Sequence, residues 1–234
     1  MKTSALLNRR LALRVAVAGA IGLSILLLGL FVLDVVRLVL RDSGRSTDSA
    51  PLQLIVADVP MSVPRNMIRD SVSSGARVAG IDLYFHWPTL NGYSAQSTET
   101  FRRSDADAPV VYVTITGQVP GFSPAERLTR IYSRLFQGEP LPGPDGLVGR
   151  RMKPGQGFDG DVIYYEQHAA QPYVVRCGED DVKPAPVCQR EIVPDPRLAV
   201  TYRFAKGLLP EWRNIDAAVR ALVEAFVATA HARP

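Results

Sequence analysis

The sequence predicts an α+β protein in which an N-terminal single transmembrane helix precedes a mainly antiparallel β-sheet domain with two covering amphipathic helices. Three observations support this prediction. A charge-free apolar run lies near the N-terminus, several later segments alternate between apolar and polar residues, and two segments carry an apolar stripe at helical spacing. With 234 residues, the chain is long enough for one folded domain and an appendage.

The N-terminal apolar run covers residues 15–33 and contains no charged residue. As a helix it spans roughly 28 Å, about the thickness of the hydrocarbon core of a bilayer. A cleavable signal peptide is the alternative, but its apolar region is shorter, at about 7–15 residues, and no small-x-small cleavage motif follows the run. We therefore expect residues 1–14 to form a cytoplasmic basic tail, residues 15–41 a signal-anchor helix with a juxtamembrane extension, and residues 42–50 a linker.

The positive charge of the chain is concentrated in this N-terminal region. The first 50 residues hold seven basic and three acidic residues, and seven less three equals the whole net charge of +4. Residues 51–234 are therefore electrically balanced. Because nucleic-acid-binding domains carry a concentrated basic face, the composition argues against a nucleic-acid partner. The predicted partners are the lipid bilayer, through residues 15–33, and an envelope protein.

Residues 51–234 are predicted to form one α+β domain. Antiparallel pairing is favoured because few helices separate the alternating segments, and parallel strands need long crossover connections. Residues 138–160 contain 11 Gly or Pro residues, which predicts a long loop or a loose hairpin. The predicted strands are Leu52–Asp58, Arg77–Trp87, Val110–Thr116, Val162–Gln167, Tyr173–Cys177, Val187–Val193 and Leu198–Phe204.

Two segments are predicted to be helical. A capping box from Ser123 to Glu126, with Pro124 at the first helical position, predicts a helix to about Phe136. Helical periodicity from about Pro210 to His231 predicts an amphipathic helix that covers the sheet; docking on a partner or lying on the bilayer are its alternatives. Its apolar positions are Ile215, Val219, Leu222, Val223, Phe226 and Val227.

The two cysteines, Cys177 and Cys188, lie at the ends of two predicted neighbouring strands. Antiparallel neighbours can bring two Cα atoms within the distance that a disulfide requires, so we predict this bond, with two unrelated thiols as the alternative. Disulfides persist in the periplasm and are rare in the cytosol. The excess of Arg (23) over Lys (4) favours a bacterial origin. We therefore expect a single-pass inner-membrane protein with a cytoplasmic N-terminus and a periplasmic C-terminal domain.

The sequence predicts no catalytic residue, no cofactor and no metal site. Residues 155–160 match GxGxxG, but a strand-like segment follows them where a dinucleotide site requires a helix. Asp82 and His86 share one face of a predicted strand, but they lie roughly 13 Å apart, too far for a direct acid–base contact.

A possible contact surface consists of aromatic and basic residues. Tyr84, His86 and Tyr93 belong to an aromatic stretch, and aromatic side chains often anchor interfaces. Arg150 and Arg151 lie in the Gly/Pro-rich segment, where they could hold an anionic group. The sequence therefore favours a scaffolding or partner-binding component of the bacterial cell envelope. The alternative is a membrane-tethered periplasmic hydrolase or ligand-binding enzyme that uses Asp82, His86 or the Gly/Pro-rich segment.

Overall fold

The computed structural model of the chain describes residues 19, 22–33, 45–180 and 185–231, which fall into two units, Met1–Gly44 and Arg45–Pro234. In the first unit, residues 22–33 form a helix whose apolar side chains are exposed. Among the described residues, no helix has the length and apolar character needed to cross a membrane. Several predicted segments lie outside the described residues. They are the basic tail (residues 1–14), residues 15–18, 20–21 and 34–41 of the anchor, and residues 42–44 of the linker.

A three-stranded sheet begins the second unit. Strands β1 (Pro51–Val56) and β2 (Val59–Pro64) pair antiparallel, and the short β3 (Arg77–Val78) pairs parallel to β1. Strand β2 has no counterpart in the sequence analysis, and its Pro60 and Pro64 are residues that ordinarily indicate against a strand. The sheet order β2-β1-β3 places β2 at an edge, where proline is tolerated because no neighbour needs its missing N–H.

An eight-stranded sheet forms the larger part of the second unit. Its order is β4-β5-β11-β10-β9-β8-β7-β6, and every neighbouring pair is antiparallel, which confirms the prediction of mainly antiparallel pairing. The strands are β4 (Gly80–His86), β5 (Val110–Gly117), β6 (Phe136–Pro142), β7 (Leu147–Met152), β8 (Asp161–Glu166), β9 (Val174–Gly178), β10 (Val187–Ile192) and β11 (Leu198–Ala205).

Strands β6 and β7 come from the Gly/Pro-rich segment, which forms a hairpin rather than a long loop. The turn between them, Pro144–Gly146, contains two consecutive positive φ angles, 49° at Asp145 and 82° at Gly146. Such angles suit a tight reversal between antiparallel strands, and Asp and Gly are residues that adopt them.

The helix that the capping box predicts is present. It runs as Pro124–Arg127, a π-helical turn over Leu128–Tyr132, and Ser133–Leu135; we call residues 124–135 the middle helix. The C-terminal helix, Trp212–His231, follows the 3₁₀ segment Lys206–Glu211. A further short helix, Thr98–Arg102, has no counterpart in the sequence analysis.

The two faces of the eight-stranded sheet are covered differently. The inner face shares one continuous apolar core with β1, β2 and the C-terminal helix, whose Ile215 and Val219 are fully buried. The outer face carries two separate clusters. The cluster under the middle helix comprises Leu128, Tyr132, Met152, Ile163 and Val174. The cluster under the short helix, Thr98–Arg102, comprises Tyr84, Tyr93, Phe101 and Val110.

The predicted disulfide is present on the inner face. Cys177 on β9 and Cys188 on β10 lie directly opposite each other in the strand register, and their sulfur atoms are bonded. Both residues are completely buried. The disulfide therefore joins two adjacent strands within the apolar core.

Candidate functional site

Two tyrosines of the predicted contact surface are buried. The rings of Tyr84 and Tyr93 pack against Phe101, with centroid distances of 4.9 and 5.7 Å. Only 3% of Tyr84 and 8% of Tyr93 is exposed. Burial raises the pKa of the Tyr84 hydroxyl above its ordinary value because the charged form would lose its hydration. These tyrosines belong to the packed cluster under the short helix and present little surface to a partner.

Arg150 and Arg151 lie far from the aromatic stretch. They are on β7, six strands from β4 in the sheet order, and at about 4.8 Å per strand this is roughly 29 Å along the sheet. The Arg150 guanidinium donates to the Gly138 carbonyl at 3.1 Å, and Arg151 forms a 3.1 Å ion pair with Glu179. The structure therefore does not bring the five predicted contact residues together.

Asp82 and His86 hydrogen-bond to different partners. The Thr114 hydroxyl donates to Asp82 Oδ1 at 2.5 Å, and His86 Nδ1 lies 2.9 Å from the Thr89 hydroxyl. Neither residue is the other's hydrogen-bond partner. Among the described residues, no group of three or more His, Cys, Asp and Glu side chains could hold a metal ion.

His86 lines an open groove of about 740 Å³, which we call the His86 groove. One wall is the loop after β4, where the His86 N–H donates to the Asn91 carbonyl and the Leu90 N–H donates to the His86 carbonyl, both at 2.8 Å. The lining residues are Thr47, Ser49, Pro64, Asn66, Met67, His86, Thr89, Leu90, Asn91, Gly92, Ser94, Gln96, Ser97 and Thr100.

The end of the predicted linker contributes to this groove. Residues 45–50 lie against the folded domain, where Asp48 approaches the Arg65 guanidinium at 3.4 Å and the Arg65 N–H donates to the Ala50 carbonyl at 3.1 Å. These contacts place Thr47 and Ser49 in the groove wall.

A second candidate site is the uncovered centre of the outer face. We call it the open face and define it as the outward-facing residues of β5, β11 and β10. Register places Tyr112 opposite Arg203, and Arg203 opposite Gln189. The Arg69 guanidinium lies over the Tyr112 ring at 5.4 Å. The open face comprises Tyr112, Thr114, Thr116, Val187, Gln189, Glu191, Ala199, Thr201 and Arg203.

Exposed apolar side chains border the open face. Arg127 holds the Phe122 backbone beside β10. Its Nε donates to the Phe122 carbonyl at 3.1 Å, and its Nη2 donates to the Glu191 carboxylate on β10 at 2.7 Å. In the described part of the second unit, the large apolar side chains that are exposed are Val119, Phe122, Val187 and Val193, at 41–74%.

The open face and the residues beside it carry cations that have no acidic partner among the described residues. Arg203 and Arg69 have no acidic partner among the described residues, whereas Arg127 pairs with Glu191 and Arg176 pairs with Asp161. Arg and Tyr are enriched at protein interfaces because both combine apolar area with hydrogen-bonding capacity. The open face can therefore supply both apolar area and positive charge to a partner.

The sequence analysis did not identify the open face, although the sequence contains a signal for it. The segment from Val187 to Val193 alternates, and its buried positions are Cys188, Arg190 and Ile192. Val187 and Val193 therefore occupy the alternate positions of the segment that face solvent. Apolar residues on the solvent-facing phase of a strand indicate a surface that is covered by a partner or used for binding.

Two solved structures have a similar fold. An immunity protein of the Stenotrophomonas maltophilia type IV secretion system matches with a TM-score of 0.50 at 14% identity, covering 76% of this chain and 93% of that chain. The iron-regulated outer membrane lipoprotein FrpD of Neisseria meningitidis matches with a TM-score of 0.50 at 12% identity, covering 79% of this chain and 98% of that chain. The sequence matches no family model and no curated protein. The similarity is one of fold.

Proposed function

We propose that the chain is a membrane-anchored extracytoplasmic protein of the bacterial cell envelope whose open face captures a partner protein. One observation carries this proposal: two of the four exposed large apolar side chains in the described part of the second unit, Val187 and Val193, lie on or directly after the outward-facing phase of β10. Scattered exposed apolar residues are ordinary, but a group at one face, mixed with Arg and Tyr, is typical of an interaction surface.

The cellular location is supported by the disulfide and by the N-terminal sequence. A Cys177–Cys188 disulfide persists in an oxidising compartment and is rare in the cytosol. The apolar run at residues 15–33 supports an inner-membrane anchor with a cytoplasmic N-terminus and a periplasmic domain. The two proteins of similar fold are described as an outer membrane lipoprotein and a secretion-system immunity protein, which agrees with a role in the envelope.

The description of one protein of similar fold as an immunity protein of a secretion system leads us to propose a secreted protein as the partner. Colicin DNases and their immunity proteins form some of the tightest protein complexes known. The open face is built on three adjacent strands of an antiparallel sheet, and such a scaffold holds its side chains in fixed positions.

Partner capture by matched variants tests this proposal. The full chain, held in lipid nanodiscs, is mixed with envelope and secreted proteins of the source bacterium, and bound proteins are quantified. We expect Val187→Asp combined with Val193→Asp to reduce capture of one discrete partner about tenfold or more, because apolar contacts are replaced by charge. Ala217→Asp combined with Ala221→Asp, at exposed positions of the C-terminal helix, adds the same charge elsewhere.

Two results contradict partner binding at the open face. One is equal capture of the same protein by the wild type and both double variants. The other is a chain that stays alone and monomeric under crosslinking.

A topology reporter fused after Pro234 tests the location. We expect reporter activity on the periplasmic side, together with Cys177 and Cys188 that react with thiol reagents in the denatured chain only after reduction. A reporter accessible only from the cytosol contradicts the proposed orientation.

A further inference from the structure

Among the described residues, those that line the His86 groove include no Asp, Glu, Lys or Arg. This is notable because 21% of the residues of the chain are of those four types. A charged ligand group would find no ion partner among the described residues of its walls. The lining therefore favours an uncharged, polar ligand.

Some polar side chains of the groove are already hydrogen-bonded and hold its walls in place. The Asn66 amide donates to the Tyr93 carbonyl at 3.0 Å, and the hydroxyls of Ser94 and Ser97 lie 2.9 Å apart in a capping box. Thr89 is similarly engaged with His86 Nδ1. These residues form a preorganised frame, which lowers the entropic cost of binding a ligand.

Other polar side chains of the groove form no hydrogen bond within the described chain. They supply two amides and three hydroxyls, and each of these groups can both donate and accept. His86 adds Nε2, since Nδ1 is engaged with Thr89. These unbonded side chains are Thr47, Ser49, Asn91, Gln96 and Thr100.

We infer that the His86 groove binds a neutral oligosaccharide of N-acetylated hexosamine units. Sugar hydroxyls donate and accept, as the free Ser and Thr hydroxyls do, and an acetamido group matches the side-chain amides of Asn91 and Gln96. Pro64, Met67 and Leu90 supply apolar surface for the acetyl methyl group and the C–H faces of the ring. The volume of about 740 Å³ lies within the range of roughly 300–1,000 Å³ typical of ligand sites.

A peptide ligand fits the groove less well. Extended peptides are recognised chiefly by main-chain hydrogen bonds to a strand edge. The free hydrogen-bonding groups identified in the His86 groove are instead side-chain amides, hydroxyls and an imidazole nitrogen. This chemistry favours the oligosaccharide.

Calorimetric titration of the full chain in lipid nanodiscs with chitotetraose, a neutral chain of four N-acetylglucosamine units, tests this inference. We expect saturable binding with a Kd between about 10 μM and 1 mM, a normal range for a wet, open site. Asn91→Ala combined with Gln96→Ala removes both free amides and is expected to weaken binding about tenfold or more. Gln137→Ala combined with Asn214→Ala removes two exposed amides outside the groove and is expected to leave binding unchanged.

Three results overturn the inference. The first is no saturable binding of chitotetraose up to about 10 mM, far above the expected range. The second is binding of chitotetraose by the Asn91→Ala/Gln96→Ala variant that equals that of the wild type. The third is tighter binding of an uncharged Ser/Asn-rich hexapeptide than of chitotetraose. Maltotetraose, which lacks acetamido groups, is expected to bind more weakly, and equal binding overturns the N-acetyl assignment. The groove variants leave the open face intact, so this test and the partner-capture test fail independently.

Discussion

The inner and outer faces of the eight-stranded sheet are formed by the same strands, but an arginine on the inner face is ion-paired and one on the outer face is not. On the inner face, Arg190 is 8% exposed and forms a 2.8 Å ion pair with Asp216 of the C-terminal helix. On the outer face, Arg203 of the neighbouring strand is exposed and has no acidic partner among the described residues. The comparison indicates that inner-face charge contributes to folding, whereas outer-face charge is available for binding.

The inner-face charges form a closed network around Asp216. Its Oδ1 accepts hydrogen bonds from Arg190 Nε at 2.8 Å and from the Tyr202 hydroxyl at 2.7 Å, and its Oδ2 accepts from Arg220 Nε at 3.1 Å. Burial alone raises the pKa of the Asp216 carboxyl. The charge and hydrogen bond of Arg190, with Tyr202 and Arg220, outweigh burial and hold that pKa below its ordinary value.

Asp216→Ala is expected to produce the largest loss of stability. It leaves the buried Arg190 guanidinium without its counter-charge, which lowers the free energy of unfolding by about 3–5 kcal/mol. Urea unfolding of the full chain, followed by the fluorescence of the buried Trp87 and Trp212, measures this loss.

The outer-face counterpart is Glu191→Ala, which removes the partner of the half-buried Arg127. Its expected cost is about 1 kcal/mol or less. Equal losses for Asp216→Ala and Glu191→Ala would remove the distinction between the two faces.

Removing the inner-face disulfide is expected to have the next largest effect. Replacing Cys177 and Cys188 by Ala frees a loop of about 12 residues in the unfolded chain and lowers the free energy of unfolding by about 3 kcal/mol. Reductant present throughout urea unfolding, where the unfolded chain exposes the bond, should destabilise the wild type by a similar amount and leave the double variant unchanged. An unfolding free energy that is the same for the fully reduced and the oxidised wild type would contradict a stabilising role for the bond.

The pH dependence of unfolding sharpens the comparison further. The pKa of Asp216 is lowered by folding, so its contribution is full above the unfolded pKa of about 3.9 and is lost as the pH falls through the folded value. Unfolding free energies measured between pH 6 and pH 2 should therefore fall less steeply below pH 4 in Asp216→Asn than in the wild type. Parallel curves would show that Asp216 does not titrate as the network requires.

The smallest stability effect is expected on the open face. Arg203→Glu should change the free energy of unfolding by no more than about 0.5 kcal/mol, because the side chain is exposed and has no acidic partner in the described chain. The same variant should lose partner capture. A loss of stability comparable to that of Asp216→Ala would contradict the assignment of this face to binding.

Much of the sheet can be predicted from the sequence, because alternation reports directly which side chains face the core. The predicted strands all have counterparts in the structure, and the apolar positions Ile215 and Val219 are buried. Strand β2 is hard to predict because proline is compatible with a strand mainly at the edge of a sheet. Whether a strand lies at an edge depends on how the whole sheet is assembled, which the local sequence does not specify.

The candidate sites are harder to predict because residue type alone does not separate core from surface. Tyr84 belongs to an aromatic stretch, but its burial depends on Phe101 in a short helix that has no clear sequence signal. The His86 groove joins residues 47–49, 64–67 and 86–100, which are distant in the sequence. The predicted membrane anchor, the linker boundary and the contact surface remain predictions.

Site-specific photocrosslinking in living cells tests partner binding at the open face most directly. A photoreactive amino acid replaces Arg203 in one full-length chain and Ala221, exposed on the C-terminal helix, in another. The account predicts one discrete crosslinked product of higher mass from position 203 and none from position 221. No product from position 203, or the same product from both positions, would contradict it.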